Sequence, residues 1–322
     1  MNTLVTIIVP VYKAECFIER CAESLFAQTY GDIEYFFVND CTPDNSIKLL
    51  ETTLDKYPSR KDFVRILNFD SNRGHAHARN VALKQCHGEY VIQIDADDWV
   101  EITMIEKMLK SAKDNDSDIV VCDFFIEKRN SSIYKNVEVS DITREGLKEF
   151  KWILDYSAHW NKLIRTSLII KNNIYCLEGT NNWVDVGQIA PLRFIAQKIS
   201  IVKEGLYHYN SYNEHSVSRN ITDKRIDDML KVASYVYDFI SQRTTGDFEM
   251  SLQYLLFVSK LRMIDSQRHE YERWLSTFPI SNNYILDYPL PIIRKFLYWL
   301  VAHHLFLPHK VVTRVYKLLK SF

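Results

Sequence analysis

The chain reads as an α/β fold with a mostly parallel central sheet, followed by a helical C-terminal region. Three observations predict it. Strand-like and helix-like patterns alternate through the first 125 residues. Polar clusters recur where the strands end. After about residue 220 the apolar positions keep only helical spacing.

Val5 to Val9 is a β-branched run ending at Pro10 and reads as a buried strand. Phe17, Ile18, Cys21, Ala22, Leu25 and Phe26 recur at helical spacing and give one apolar face. Ile33 to Val38 is a second strand. Thr42 followed by Pro43 has the pattern of a helix cap and first turn, and Ile47, Leu50 and Leu54 supply that helix's face. Phe63 to Phe69 is a third strand, and Gly74 opens a helix carrying Ala78, Val81, Ala82 and Cys86. Tyr90 to Ile94 is a fourth strand and ends on Asp95. A helix over about 101–113 and a strand over 118–125 follow. Right-handed crossovers turn this order into a parallel sheet whose ligand edge lies beyond the strands' carboxyl ends. From about 131 to 202 the pattern is irregular. Ile226, Met229, Leu230, Ala233, Val236, Tyr237 and Ile240 then fit one helical face, and 252–263 fits another.

Composition removes several classes. Forty Lys+Arg stand against 41 Asp+Glu, so a sequence-independent nucleic-acid binder, which needs a basic excess, is not expected. The six cysteines, at 16, 21, 41, 86, 122 and 176, form no C-x-x-C pair and read as buried reduced thiols. The N-terminus has neither the basic flank nor the apolar length of a signal peptide, and no stretch reaches the ~20 apolar residues of a membrane span. A cytoplasmic protein is expected. There are eight glycines and none between Met1 and Tyr30. That leaves no glycine-rich phosphate loop after the first strand, so a nucleotidyltransferase or dinucleotide oxidoreductase does not fit.

The strand ends carry Pro10-Val11-Tyr12, Asn39-Asp40, Asn72-Arg73-Gly74 and Asp95-Ala96-Asp97-Asp98. Three carboxylates within four residues repel one another, and a divalent cation resolves the repulsion. Mg²⁺ or Mn²⁺ takes hard oxygen ligands, usually one or two carboxylates with substrate phosphates. Asp98 alternatively caps a helix. Tyr12 either stacks on a base or packs at the rim. Asp40 either accepts the N3–H of a uracil or closes an Asx turn.

Thr6-Ile7-Ile8-Val9-Pro10-Val11-Tyr12, Ser24 to Tyr30, Phe37 to Asp44, Asn72-Arg73-Gly74 with Ala78-Arg79-Asn80, and Gly88-Glu89-Tyr90 leading to Asp95-Ala96-Asp97-Asp98 together resemble a family 2 glycosyltransferase. The resemblance covers about residues 4 to 220. It implies a GT-A fold, a nucleoside-diphosphate-sugar donor, a metal ion and inversion at the anomeric carbon. It assigns Pro10, Tyr12, Asn72 and Asp40 to the donor, Asp95 to the ribose or metal, and Asp97 to the metal. Arg79 either supports the acidic run or forms a structural ion pair. Asn39 stands where many members have Asp, and Cys41-Thr42 replaces a Gly-Ser pair, which makes that turn less permissive.

An inverting transfer needs a general base. The family's Glu-Asp pair matches Val184-Asp185, without the Glu, and Asp185 is the base expected. Trp160-Asn161-Lys162-Leu163 resembles a segment common in bacterial members acting on surface polysaccharides. Trp160 either stacks on an acceptor sugar or packs in the core. His208, and His215 with Ser216, Ser218 and Arg219, lie where members place a loop over the diphosphate. The implied units are a GT-A domain at 1–220, with nucleotide (1–115) and acceptor (116–220) halves, and a helical region at 221–322. The acceptor expected is a glycan or lipid-linked glycan of capsule, exopolysaccharide or O-antigen synthesis. A binding protein of the same fold without catalysis is the alternative. The tail from Ile292 to Lys320 mixes basic, aromatic and aliphatic residues. It either lies on a membrane surface, packs on the rest of the chain, or joins a homodimer.

Overall fold

The computed structural model describes residues 3–138, 146–148, 157–213, 222–264 and 268–320. In chain order the first elements are β1 (Val5–Val11), α1 (Ile18–Phe26), β2 (Ile33–Asn39), α2 (Ser46–Asp55), β3 (Val64–Asn68), α3 (His75–Leu83), β4 (Tyr90–Gln93), β5 (Trp99–Val100) and α4 (Met104–Asn115). There follow β6 (Ile119–Lys128), β7 (Ser131–Lys135), β8 (Lys162–Arg165), α5 (Thr166–Lys171), α6 (Val184–Ile195) and β9 (Ile199–Asn210). The helices α7 (Asp223–Ser241), α8 (Glu249–Lys260), α9 (Tyr271–Ser276), α10 (Ile292–Ala302) and α11 (Phe306–Lys320) complete the chain.

The strands form one sheet in the order β3-β2-β1-β4-β8-β6-β9-β5, with β7 beside β6. β1 pairs parallel with both β2 and β4, β2 with β3, and β6 with β9. β8 lies antiparallel between β4 and β6. Successive β1 side chains go to opposite faces, as a pleated strand requires. Val5, Ile7, Val9 and Val11 join α1 and α4 in one core. Ile8 joins Phe36, Val38 and the α3 and α6 residues Ala78, Ile189 and Leu192 in the other. Both faces are covered, which is why these strands read as continuous apolar runs. Pro10 lacks an N–H but lies past the β1–β4 ladder, which ends at Ile8 and Gln93, so it costs that ladder no bond.

Several expectations change. Thr42 and Pro43 do not start a helix; α2 begins at Ser46. Thr42 Oγ1 instead accepts the Lys13 N–H at 2.8 Å and donates to Asp44 Oδ1 at 2.7 Å, which joins the loops after β1 and β2. Asp98 caps nothing, because α4 starts at Met104, beyond the short β5. Among the described residues the middle region is regular: it holds β7, β8, α5, α6 and the start of the twelve-residue β9. Its period of two was broken by a bulge where β6 residues Cys122 and Asp123 face Val202 and Gly205. Of the thiols, Cys21, Cys122 and Cys176 are buried but Cys16 and Cys41 are exposed.

In the C-terminal helices, Val232, Ala233, Val236 and Ile240 of α7 pack on Val186, Ala190 and Phe194 of α6. A second cluster gathers Phe257, Trp274, Tyr288, Tyr298 and Val301. No helix among the described residues is long and apolar enough to cross a membrane.

Candidate active site

The loops after β1, β2 and β3 are drawn together by Asp40. Its carboxylate is 3% exposed and accepts the backbone N–H groups of Arg73 (2.6 Å) and Gly74 (2.9 Å), one on each oxygen. The Asp40 N–H donates to Val11 O, and Asn72 Nδ2 donates to Asp40 O. Each carboxylate oxygen retains a lone pair after this, so the clamp and a ligand contact are compatible. Gly74 has φ +86°, and a Cβ there would lie 2.4 Å from Asn181 Oδ1, so only glycine fits this turn. Asn39, in place of the family's Asp, accepts Thr42 N–H and donates to Asn68 Oδ1, the latter a bond no carboxylate could make. Cys41 holds φ +55°, in the left-handed region that the family's glycine would favour. Tyr12 leaves its ring 44% exposed next to Lys13.

The acidic run begins one strand over, and its three carboxylates have different surroundings. Asp95 Oδ1 accepts from Arg79 Nη2 at 2.5 Å. Arg79 is 4% exposed on α3, and its Nε has no acceptor. Asp97 accepts from Asn213 Nδ2 at 2.8 Å, and burial, reinforced by Asp95, pushes its carboxyl up from the ordinary range. Asp98 is fully buried. It accepts from Tyr207 Oη at 2.5 Å and from the Asn210 N–H at 2.7 Å, and burial together with Asp97 and Asp95 raises it strongly. Asp98 is therefore the strut on which the turn is built, while Asp95 and Asp97 remain for a ligand.

That division bears on the metal. Among the described residues no group of three or more His, Cys, Asp or Glu side chains is arranged to hold one. Two carboxylates suffice for Mg²⁺ or Mn²⁺ when substrate phosphates complete the shell. Asp95 and Asp97 offer hard oxygen donors of the kind these ions take, two residues apart on one turn. The donor set fits the ion.

Asp185 lies in the first turn of α6, and the residue before that helix, Trp183, holds a left-handed φ of +57°. Burial raises the Asp185 carboxyl and the field of Asp95 adds to it, while its hydrogen bond from the Val186 N–H and the charge of Arg79 oppose. Asp185 thus senses the same charges as the acidic run, although no sequence proximity connects them.

Trp160 is packed among aromatics. Its ring stacks on Tyr207 (4.4 Å) and Tyr209 (5.7 Å), with Phe124 edge-on. His208 sits in β9 rather than in a loop, sandwiched by Trp99 and Phe125, with its ring nitrogens 3.0 Å from Glu101 and 2.8 Å from Glu127. It is a structural residue of the sheet. His215, Ser216, Ser218 and Arg219 lie outside the described residues. Sequence reasoning missed Tyr207, Asn210 and Asn213, whose partners are more than 100 residues away. It also missed His75, which had a local signal: it stands four residues before Arg79 on one helix face.

Residues 6–172 match the family model described as Glycosyl transferase family 2. The uncharacterized glycosyltransferase EpsJ of Bacillus subtilis (strain 168) is 32% identical over 225 residues, covering 65% of this chain. The chain spans 61% of that relative's length. Among solved structures, S. aureus TarS 1-349 in complex with UDP-GlcNAc superposes with a TM-score of 0.73 at 17% identity, covering 98% of this chain and 91% of that one. A mannosyltransferase of Pyrobaculum calidifontis with GDP-Man and Mn²⁺ gives 0.55 at 15% identity, covering 98% and 84%. These likenesses establish the fold.

Proposed function

We propose that this chain, which belongs to glycosyl transferase family 2, transfers a sugar from a nucleoside-diphosphate sugar, a UDP-sugar in the first instance, to a hydroxyl of a glycan or lipid-linked glycan in bacterial surface-polysaccharide synthesis. The observation that carries the reading is that the strand ends bring together the Asp40 clamp on the loop at 72–74 and Asp95 held by Arg79, within the part of the chain that matches the family. Asp95 would stand at the donor end, and Asp185, whose carboxyl burial raises from the ordinary range, would act as the base. The solved structure of TarS with UDP-GlcNAc, which has this fold, supports the choice of uridine.

In this reading Tyr12 offers its exposed ring to the base, and the Asp40 clamp holds the turn beneath it. Asp95 and Asp97 would hold Mg²⁺ or Mn²⁺, which when bound offsets charge on the leaving diphosphate. Arg79 fixes the rotamer of Asp95. Asp185 takes the proton from the acceptor hydroxyl as the glycosidic bond forms. Trp160 backs the Tyr207 ring, which in turn holds the acidic run.

The tail is the membrane-facing part of the proposal. From Tyr288 to Phe322 there are six Lys/Arg and no Asp/Glu, in a chain whose net charge is only −1. Ile292 (80% exposed) and Leu307 (73%) stand uncovered on α10 and α11 near Arg294 and Lys310, also exposed. Apolar side chains among cations suit an anionic membrane surface. Co-sedimentation with anionic vesicles that Ile292→Asp/Leu307→Asp abolishes would support it. Vesicle-independent dimerisation would assign the tail to self-association.

The deciding experiment is a thermal-shift and turnover screen of UDP- and GDP-sugars with Mn²⁺. A donor that binds raises the melting temperature. Wild-type donor turnover, with Asp185→Asn binding the donor but not transferring, supports an enzyme. Binding without turnover by wild type assigns a non-catalytic donor-binding protein, the reading that Val184 in place of Glu favours. Stabilisation by no nucleotide sugar overturns both.

A further inference from the structure

The hydrogen bonds that start on Asp95 continue past Arg79. Arg79 Nη1 lies 2.8 Å from His75 Nδ1, one helical turn earlier. His75 Nε2 lies 3.3 Å from the carbonyl oxygen of Asn181. The Asn181 N–H donates to Asp228 on α7 at 2.8 Å. These partners leave one protonation state. A guanidinium only donates, so Nδ1 must accept; a carbonyl only accepts, so Nε2 must carry the proton. His75 is a neutral imidazole with a fixed tautomer. Burial and the charge of Arg79 lower its pKa to about 4, in accord with that state.

Its position is informative. On one side is the guanidinium that holds Asp95. On the other is the segment that runs through the strained Trp183 into the helix of Asp185. The geometry points to His75 as a positioning residue that ties the arginine aligning Asp95 to the loop that aims Asp185. It rests on the donor and base roles proposed above. Donor and base approach the acceptor from separate elements, and an error of about 1 Å between them can cost about 100-fold in rate.

Three substitutions separate the two arms. His75→Asn keeps an acceptor near the Nδ1 position and loses the reach to Asn181. His75→Gln keeps the reach and loses the acceptor for Arg79. His75→Phe keeps the ring volume and loses both. With a donor that wild type turns over, His75→Asn should lower kcat about tenfold at unchanged donor KM, and His75→Gln should raise donor KM by about the same factor. His75→Phe should do both. A purely packing role predicts wild-type kcat and KM in His75→Phe, and that result overturns the proposal. If His75→Phe does not fold, the Asn and Gln pair decides, and effects that merely follow melting temperature count against it. If wild type turns over no donor, the functional reading is what fails. His75 is then judged on the ¹⁵N imidazole spectrum of the full chain at pH 7. A proton on Nε2 alone supports the assignment; an Nδ1–H or charged ring overturns it.

Discussion

Tyr207 donates its hydroxyl to the Asp98 carboxylate across 2.5 Å and accepts the Asp95 N–H at 3.4 Å, so one phenol on β9 braces both ends of the acidic run. Tyr207→Phe keeps the ring stacked on Trp160 but leaves a buried Asp98 oxygen without its donor. The expected cost is about 1–3 kcal/mol of stability, the range for an unsatisfied buried polar group. Thermal unfolding measures it, and an unchanged melting temperature would show that Asn210 alone suffices.

Asp185 must be ionised to accept a proton, and its carboxyl is raised by burial and by Asp95. Transfer should therefore decline as pH falls, with a midpoint above the usual aspartate value. In Asp185→Asn the residual rate should lose that limb and lie about 100-fold or more below wild type. A pH profile of kcat at saturating donor checks both. An unchanged limb would assign it to another group.

Removing Asp97 should separate function from stability. Its folded pKa is raised above the unfolded value. Its stabilising contribution is therefore complete below the unfolded pKa and is lost as pH rises through the folded one. At neutral pH the ionised side chain is a cost. Asp97→Asn should melt no lower than wild type at pH 7, and any gain should vanish below about pH 4. Metal-supported turnover should meanwhile fall by about 10²–10³-fold. A large stability loss would mean that the Asn213 contact needs the charge.

Cys41 is a non-glycine residue in the left-handed region, which costs roughly 1–2 kcal/mol. Cys41→Gly relieves that strain against a smaller backbone-entropy penalty, about 0.5–1 kcal/mol. The variant should be more stable by up to about 1 kcal/mol in denaturant titration, with donor KM unchanged.

The strand ends were legible because β1, β2 and β4 are buried on both faces and a helix follows each of them. Their apolar runs and terminal polar residues fall in order along the chain. Asp40 shows the limit of that legibility: its location was clear from sequence, but its two backbone partners depend on how the loop at 72–74 folds back. An acid before an apolar periodic stretch has the pattern of a helix cap, which is the alternative Asp98 presents in sequence. The two-residue β5 in between, too short to show a period, changes the outcome. β9 was invisible for a different reason. Lys203-Glu204-Gly205 interrupts its alternation, and Gly205 is required because a Cβ would meet the Phe125 ring at 2.4 Å.

β9 also sets a timetable. The acids at 95–98 leave the ribosome long before Tyr207, Asn210 and Asn213, and until those arrive Asp98 has no donors and the turn consists of mutually repelling charges. Contacts of such high sequence separation form late and slowly. The end of the sheet that would bind a nucleotide is thus completed only after more than 200 residues have been synthesised. During synthesis the nascent α/β layer carries an unpaired β6 edge, where β9 will dock, and that edge is the place where chaperones or wrong strand partners would compete.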